Sequence, residues 1–196
     1  MEGNAFLQPS FSHHAEISHT YNGALTTAFS FGYLRDGFSQ VTLLEKGSRI
    51  QPTKTLNFLT EYSCQLMNTL TCNPVKWIET AIQTQVYDIL SKSALPQTRP
   101  ALRGWTGYVS ADHQLAINKK KTLIGILNFW YQSPAVSGND NQRSIYSADA
   151  GVKSLLLGKN LQLSLTWTDV FRTNIYRYDS YINDIRQEFH AYYDDR

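Results

Sequence analysis

Charge is what this chain has least of. Asp, Glu, Lys and Arg together make up 17% of its 196 residues, against about a quarter in an ordinary soluble domain. The 18 basic and 16 acidic side chains nearly cancel, to +2, which argues against nucleic acid as a partner. Cysteine is almost missing: only Cys64 and Cys72 are present. On one strand they would stand roughly 26 Å apart, far outside disulfide reach, and two thiols alone make no zinc site. Both read as small apolar surface residues. No stretch of about 18 apolar residues exists, so no transmembrane helix is expected. "MEGNAFLQPS" has neither a basic n-region nor an apolar h-region; a targeting segment, if the protein is exported, is expected upstream of it. No G-x-S-x-G nucleophile elbow occurs either.

Thr, Ser, Asn, Gln and aromatics, including 12 Tyr, fill the place of charge. They are ordered with period two. In "ALTTAFSFGYLRD", Leu25, Thr27, Phe29, Phe31 and Tyr33 alternate with Ala24, Thr26, Ala28, Ser30 and Gly32. In "LQLSLTWTDVF", Leu161, Leu163, Leu165, Trp167 and Phe171 oppose Gln162, Ser164, Thr166 and Thr168. The same pattern runs through residues 11–21, 61–72, 78–86 and 105–117, and less cleanly through 122–131 and 144–157. Alternation of this kind marks strands with one apolar face. The segments run longer than the usual 5–6 residues of globular strands and match a tilted membrane strand of about 9–11.

The connections sort by length. Asn22-Gly23, Asn73 to Lys76, Asn118 to Lys121 and Gly158 to Asn160 are short; 36–57, 91–102, 132–143 and 172–188 are long. Strict alternation of short and long connections is expected of an up-and-down meander whose tight turns share one end, the form of outer-membrane barrels. Tyr33, Tyr62, Trp105, Tyr131 and Tyr146 gather at the long-loop ends, with Tyr21 and Trp77 at the other, as two interfacial girdles would. The expected fold is therefore all-β: an antiparallel up-and-down meander of about eight or nine long strands, part of a transmembrane outer-membrane barrel, with a ninth strand beginning near Phe189. The Phe29 face meets lipid and the Ser30 face lines the lumen. An open sheet cannot span hydrocarbon, so residues 1–196 are expected to be a single segment of a larger barrel.

The stretches "GNAFLQPSFSHHAEISHTYNG" and "WYQSPAVSGNDNQRSIYSADAGVKSLLLGKNLQLSLTWTDVFRTN" resemble barrel segments of TonB-dependent-receptor-like outer-membrane proteins, the second at Ser133, Pro134, Gly138, Lys153, Asp169 and Phe171. The resemblance implies the C-terminal part of a receptor in the cell outer membrane. It also implies a plug, a coupling motif and a closing strand that are not visible here. Its implied role is nutrient binding or uptake without catalysis. The implied partners are outer-membrane lipid, the remaining strands and plug, an unidentified nutrient and a surface-exposed lipoprotein.

Binding residues concentrate on loops carried by rigid scaffolds. In "RTNIYRYDSYINDIR", Arg172, Tyr176, Arg177, Tyr178 and Tyr181 form the candidate substrate-contacting set. No cofactor and no metal site are expected: His13 and His14 point to opposite faces, and ligands must converge. Glu16, Glu61, Glu79 and Asp112 read as wetted lining. Lys119, Lys120 and Lys121 read as a solvated turn. Asp169 shares the parity of Trp167 and Phe171, where a charge is costly in lipid; it reads as an interfacial or loop-capping aspartate. Two rivals remain at this stage. One is a soluble lipocalin-like barrel or sandwich, the other an outer-membrane hydrolase.

Overall fold

A computed structural model describes residues 4–42, 53–138, 140–182 and 185–192. Twelve strands form: β1 Phe11–Tyr21, β2 Leu25–Thr42, β3 Thr53–Val75, β4 Ile78–Ser93, β5 Ala101–Ala116, β6 Leu123–Gln132, β7 Ala135–Ser137, β8 Asp140–Gln142, β9 Ile145–Leu156, β10 Leu161–Trp167, β11 Ile175–Ile182 and β12 Ile185–Tyr192. Among the described residues the single helical element is one 3₁₀ turn, Leu157–Lys159. Eight strands make one sheet, in the order β1-β2-β3-β4-β5-β6-β9-β10, and four short ones make a second, β12-β11-β8-β7. Every pairing is antiparallel.

The register puts every apolar set on one face. The row Ile17–Phe29–Leu66–Val86 is directly paired across β1 to β4. Leu127–Ala150–Trp167 continues the same face across β6, β9 and β10. Phe29 is 49% exposed and Leu165 77% exposed, whereas Ser30 on the other face keeps 6%. Apolar groups therefore lie outside and small or polar ones inside, the inverse of a water-soluble sheet packed on a dry core. Tyr33 and Tyr62 are paired, with ring centroids 5.0 Å apart, and Tyr131 pairs Tyr146. Trp105 lies in the row beside Tyr62, and all three rows stand toward the long connections.

The rows also slant. The row that starts at Tyr21, beside the first turn, passes through Leu25, Leu70, Ile82, Ala111 and Phe129 to Ala148, well up β9 from its own turn. This progressive stagger is the shear that tilted barrel strands need. The short turns follow from local chemistry. Asn22 and Gly23 have φ of 49° and 65°, the positive pair a type I′ hairpin requires. In the third turn the Asn118 side-chain oxygen accepts from Thr122 N at 2.8 Å and Leu123 N at 3.2 Å.

Three features differ from the sequence reading, the first being that the expected connections 132–143 and 172–188 hold β7, β8 and β11. The connection 36–57 is largely strand: β2 and β3 pair as far as Thr42↔Thr53, past a bulge between Leu34 and Gly37 where Asp36 takes φ 55°. This arm stands beyond the aromatic rows, where Val41, Phe58 and Leu59 are buried instead of facing outward, so its sequence no longer alternates cleanly. Residues 43–52 of that connection lie outside the described residues. The chain near Phe189 is strand as expected, but β12 pairs β11 in the second sheet rather than extending the first. Among the described residues β1 pairs only β2 and β10 pairs only β9, so both edges of the large sheet stand open.

Candidate functional site

The long connection after β6 does not stand up into solvent. It turns back over the polar face of β4 and β5, and the residues of the "SPAVSG" stretch make that turn. Ser133 Oγ accepts from Gly107 N at 2.8 Å, and Pro134 O accepts from Thr106 Oγ1 at 3.1 Å. Gly138, at φ 59°, donates its N–H to Glu61 Oε1 at 3.1 Å. Between them Val136 is buried against Gly104, where an added Cβ would come within 2.7 Å of Val136 Cγ2. Gly104 is therefore a seat: with a side chain at this position β7 could not lie this close. Thr106 and Ser91 are buried beneath the connection.

β7 and β8 then recruit the last hairpin. β11 pairs β8 through Tyr178↔Gln142 and Ser180↔Asp140, and β12 pairs β11 along its whole length. Arg143 Nη2 meets Glu188 at 2.6 Å and Asp179 at 3.7 Å, while Arg186 holds Asp179 at 2.9 Å. These ion pairs, on one side of the small sheet, clip β8, β11 and β12 together. The other side faces the β2–β3 arm across a cavity of about 630 Å³. Tyr176, Tyr178, Asp140, Gln142 and Gln187 line it from the small sheet, and Phe58 and Val41 from the arm. Tyr178 stacks on Phe189, with centroids 4.8 Å apart. Burial pushes the Asp140 carboxyl up from the ordinary carboxylate range, and a hydrogen bond with Ser180 opposes that rise. One acid, several neutral donors and acceptors and four aromatic rings suit a small polar ligand with an apolar side.

β11 alternates like any strand, and this sorts the expected contact residues. Tyr176 and Tyr178 face the cavity; Arg177 and Tyr181 fall on the opposite side. The Arg99 guanidinium lies 3.6 Å over the Tyr181 ring, a stacked cation–π pair, and the Arg177 carbonyl accepts from Arg143 N. Arg172 is exposed in a separate turn, at φ 56°. The interleaving of Tyr and Arg gave no way to choose among them, because β11 lay inside an expected loop. Asp140, Gln142, Phe58 and Val41 were missed for a related reason. They come from distant segments, and only the inward turn of the β6–β9 connection brings them together.

Asp169 caps its turn. Its carboxylate accepts from Thr173 N at 2.8 Å, Thr173 Oγ1 at 3.2 Å and Asn174 N at 3.2 Å, and its own N–H goes to Asp149 Oδ1 at 2.8 Å. The side chain is buried, turned away from the face its parity assigned because φ 45° breaks the strand there. Among the described residues no three His, Cys, Asp or Glu side chains converge as metal ligands would. His13 stacks on Tyr33 at 6.1 Å. Cys64 and Cys72 are free, on the apolar face of β3.

No curated protein and no solved structure matches this chain. A family match is found, and it covers residues 1–196. The long tilted strands, the outward apolar face, the paired aromatic rows and this match agree: the chain belongs to the outer membrane protein beta-barrel family, and its place is the outer membrane.

Proposed function

We propose that this chain is a barrel segment of a TonB-dependent-receptor-like importer, which captures a small nutrient at the external end of the barrel and performs no chemistry on it. The observation that carries this reading is the cavity of about 630 Å³ between the loop-borne small sheet and the β2–β3 arm. A loop sheet folded back over the polar face narrows the passage and holds a ligand-sized space at its entrance. A freely open pore would gain nothing from such a device. The open edges of β1 and β10 support the segment reading, because unpaired backbone in hydrocarbon costs several kcal/mol per group. Further strands and a plug would complete the barrel, lipid would cover the Phe29 face, and a surface lipoprotein would cap the external loops.

The test uses the full-length protein in detergent, titrated with neutral oligosaccharides, dipeptides and ferric chelates and followed by calorimetry. At least one class is expected to bind saturably, with affinity reduced about tenfold or more in Tyr178→Ala, the loss of one buried aromatic contact. Absence of any saturable ligand, or a ligand indifferent to both Tyr176→Ala and Tyr178→Ala, would overturn the reading.

A further inference from the structure

The polar face of the large sheet carries a second concavity, of about 400 Å³, lined by Gln65, Gln83, Gln85, Gln132, Tyr87 and Tyr108. It lies below the entrance cavity, nearer the short turns along β3. Its makeup is unusual for a water-filled wall. Three consecutive rows, the first from β2 to β5 and the others from β2 to β6, contain no charge: Ser30–Gln65–Tyr87–Thr106, then Ala28–Met67–Gln85–Tyr108–Gln132, then Thr26–Thr69–Gln83–Ser110–Trp130. Charge resumes outside them, first at Glu16, which pairs Ser30 from β1. On one side Glu61 is occupied by Gly138 N; on the other, Asp112 lies in the next row, opposite Ala81 and Asn128.

The hydrogen-bonding capacity of this patch is largely unspent. Gln83 Nε2 rests on Met67 Sδ at 3.4 Å. The amides of Gln65, Gln85 and Gln132 and the hydroxyls of Tyr87 and Tyr108 have no protein partner among the described residues. Each amide offers two donors and an acceptor. Beside them Tyr108 and Trp130 lie with centroids 6.4 Å apart and planes inclined by 27°, a broad aromatic surface on the same wall.

The geometry points to a subsite for a neutral, polyhydroxylated solute, an oligosaccharide in chemical class. Hydroxyl groups both donate and accept, as the amides do. The C–H face of a pyranose ring covers an aromatic plane that an ion or a hydrated amine would leave bare. A charged ligand would leave its hydration for a wall with no counter-charge, which is costly. This assignment rests on the import reading and names the substrate class that passes the wall below the entrance cavity.

Calorimetry on the full-length protein in detergent tests it, with neutral gluco-, xylo- and manno-oligosaccharides as one set of probes and an oligogalacturonide and dialanine as the charged set. Heat-dependent gel migration reports folding of each variant. Gln85→Leu and Gln132→Leu are expected to weaken neutral oligosaccharide binding tenfold or more. Gln85→Glu, which keeps the shape, is expected to weaken it too. Tyr178→Ala, in the entrance cavity, reports on the import reading separately. Binding of a charged probe that responds to Tyr178→Ala, with no neutral sugar bound, sinks the sugar assignment and leaves the import reading standing. So does sugar binding that ignores all three glutamine variants, the result expected if this wall merely packs against other protein. No binding by either set overturns both.

Discussion

Replacing Gly104 with alanine tests the inward fold of the β6–β9 connection. The new Cβ would sit 2.7 Å from Val136 Cγ2 and 3.4 Å from Val136 Cβ. Val136 is buried and β-branched, with little freedom to turn away. Overpacking of this kind costs about 1–3 kcal/mol. The strain falls on the docking of the connection, because β5 stays paired with β4 at this position, through Ile89↔Gly104. At about tenfold per 1.4 kcal/mol, the population with the connection lifted should rise roughly 5- to 150-fold. Arg143, half exposed and just beyond β8, offers a trypsin site within the connection. Proteoliposomes carrying the full-length protein, digested under conditions where reclosing outruns cleavage, report that population directly. Cleavage after Arg143, read by mass spectrometry, should accelerate by that factor in Gly104→Ala. Gly107→Ala is the control: its Cβ would meet only Ser133 Oγ, at 3.9 Å, an ordinary contact. Equal cleavage rates in the two variants would refute the seat.

Phe29→Arg places a charge on the outward face between Ile17 and Leu66. It should cost about 2–4 kcal/mol in lipid, measured by urea unfolding of the protein in bilayers, whereas a wetted Phe29 predicts almost no change. Asp169→Ala strips the acceptor from Thr173 N and Asn174 N. At about 1–3 kcal/mol for each bared donor, hydrogen exchange at these two amides should quicken at least tenfold without loss of the sheet. The raised Asp140 carboxyl means that the small sheet holds its proton more tightly than the unfolded chain does. The part of its stability that Asp140 contributes is then fully present below the ordinary carboxylate range and is lost as pH rises through the raised value. Asp140→Asn should flatten the pH dependence of exchange protection at Ser180 and Gln142; an unchanged slope contradicts the burial argument.

Several devices could be read before any coordinates. The alternation of Phe29 with Ser30 and of Leu165 with Thr166 assigned both faces of the large sheet, because a strand has no other way to separate large apolar from small polar groups. Asn22-Gly23 announced its own turn. The capping role of Asp169 was legible as a conflict: a charge at a lipid parity is tolerable only where the strand ends. Ser133, Pro134 and Gly138 could be matched as a motif but not explained, since their partners, Gly107, Thr106 and Glu61, lie on β5 and β3.

The sequence by itself determined the eight long strands of the large sheet, their outward and inward faces and the places of the short turns, all consequences of period-two chemistry and local turn preference. Only the tertiary structure decided that the β6–β9 connection folds inward, that β11 and β12 leave the large sheet, and that Tyr176 and Tyr178 rather than Arg177 and Tyr181 face the cavity. Those outcomes depend on close approaches between residues far apart in the chain, Val136 on Gly104 and Tyr178 beside Gln142. Such approaches leave no periodic trace in either segment taken alone.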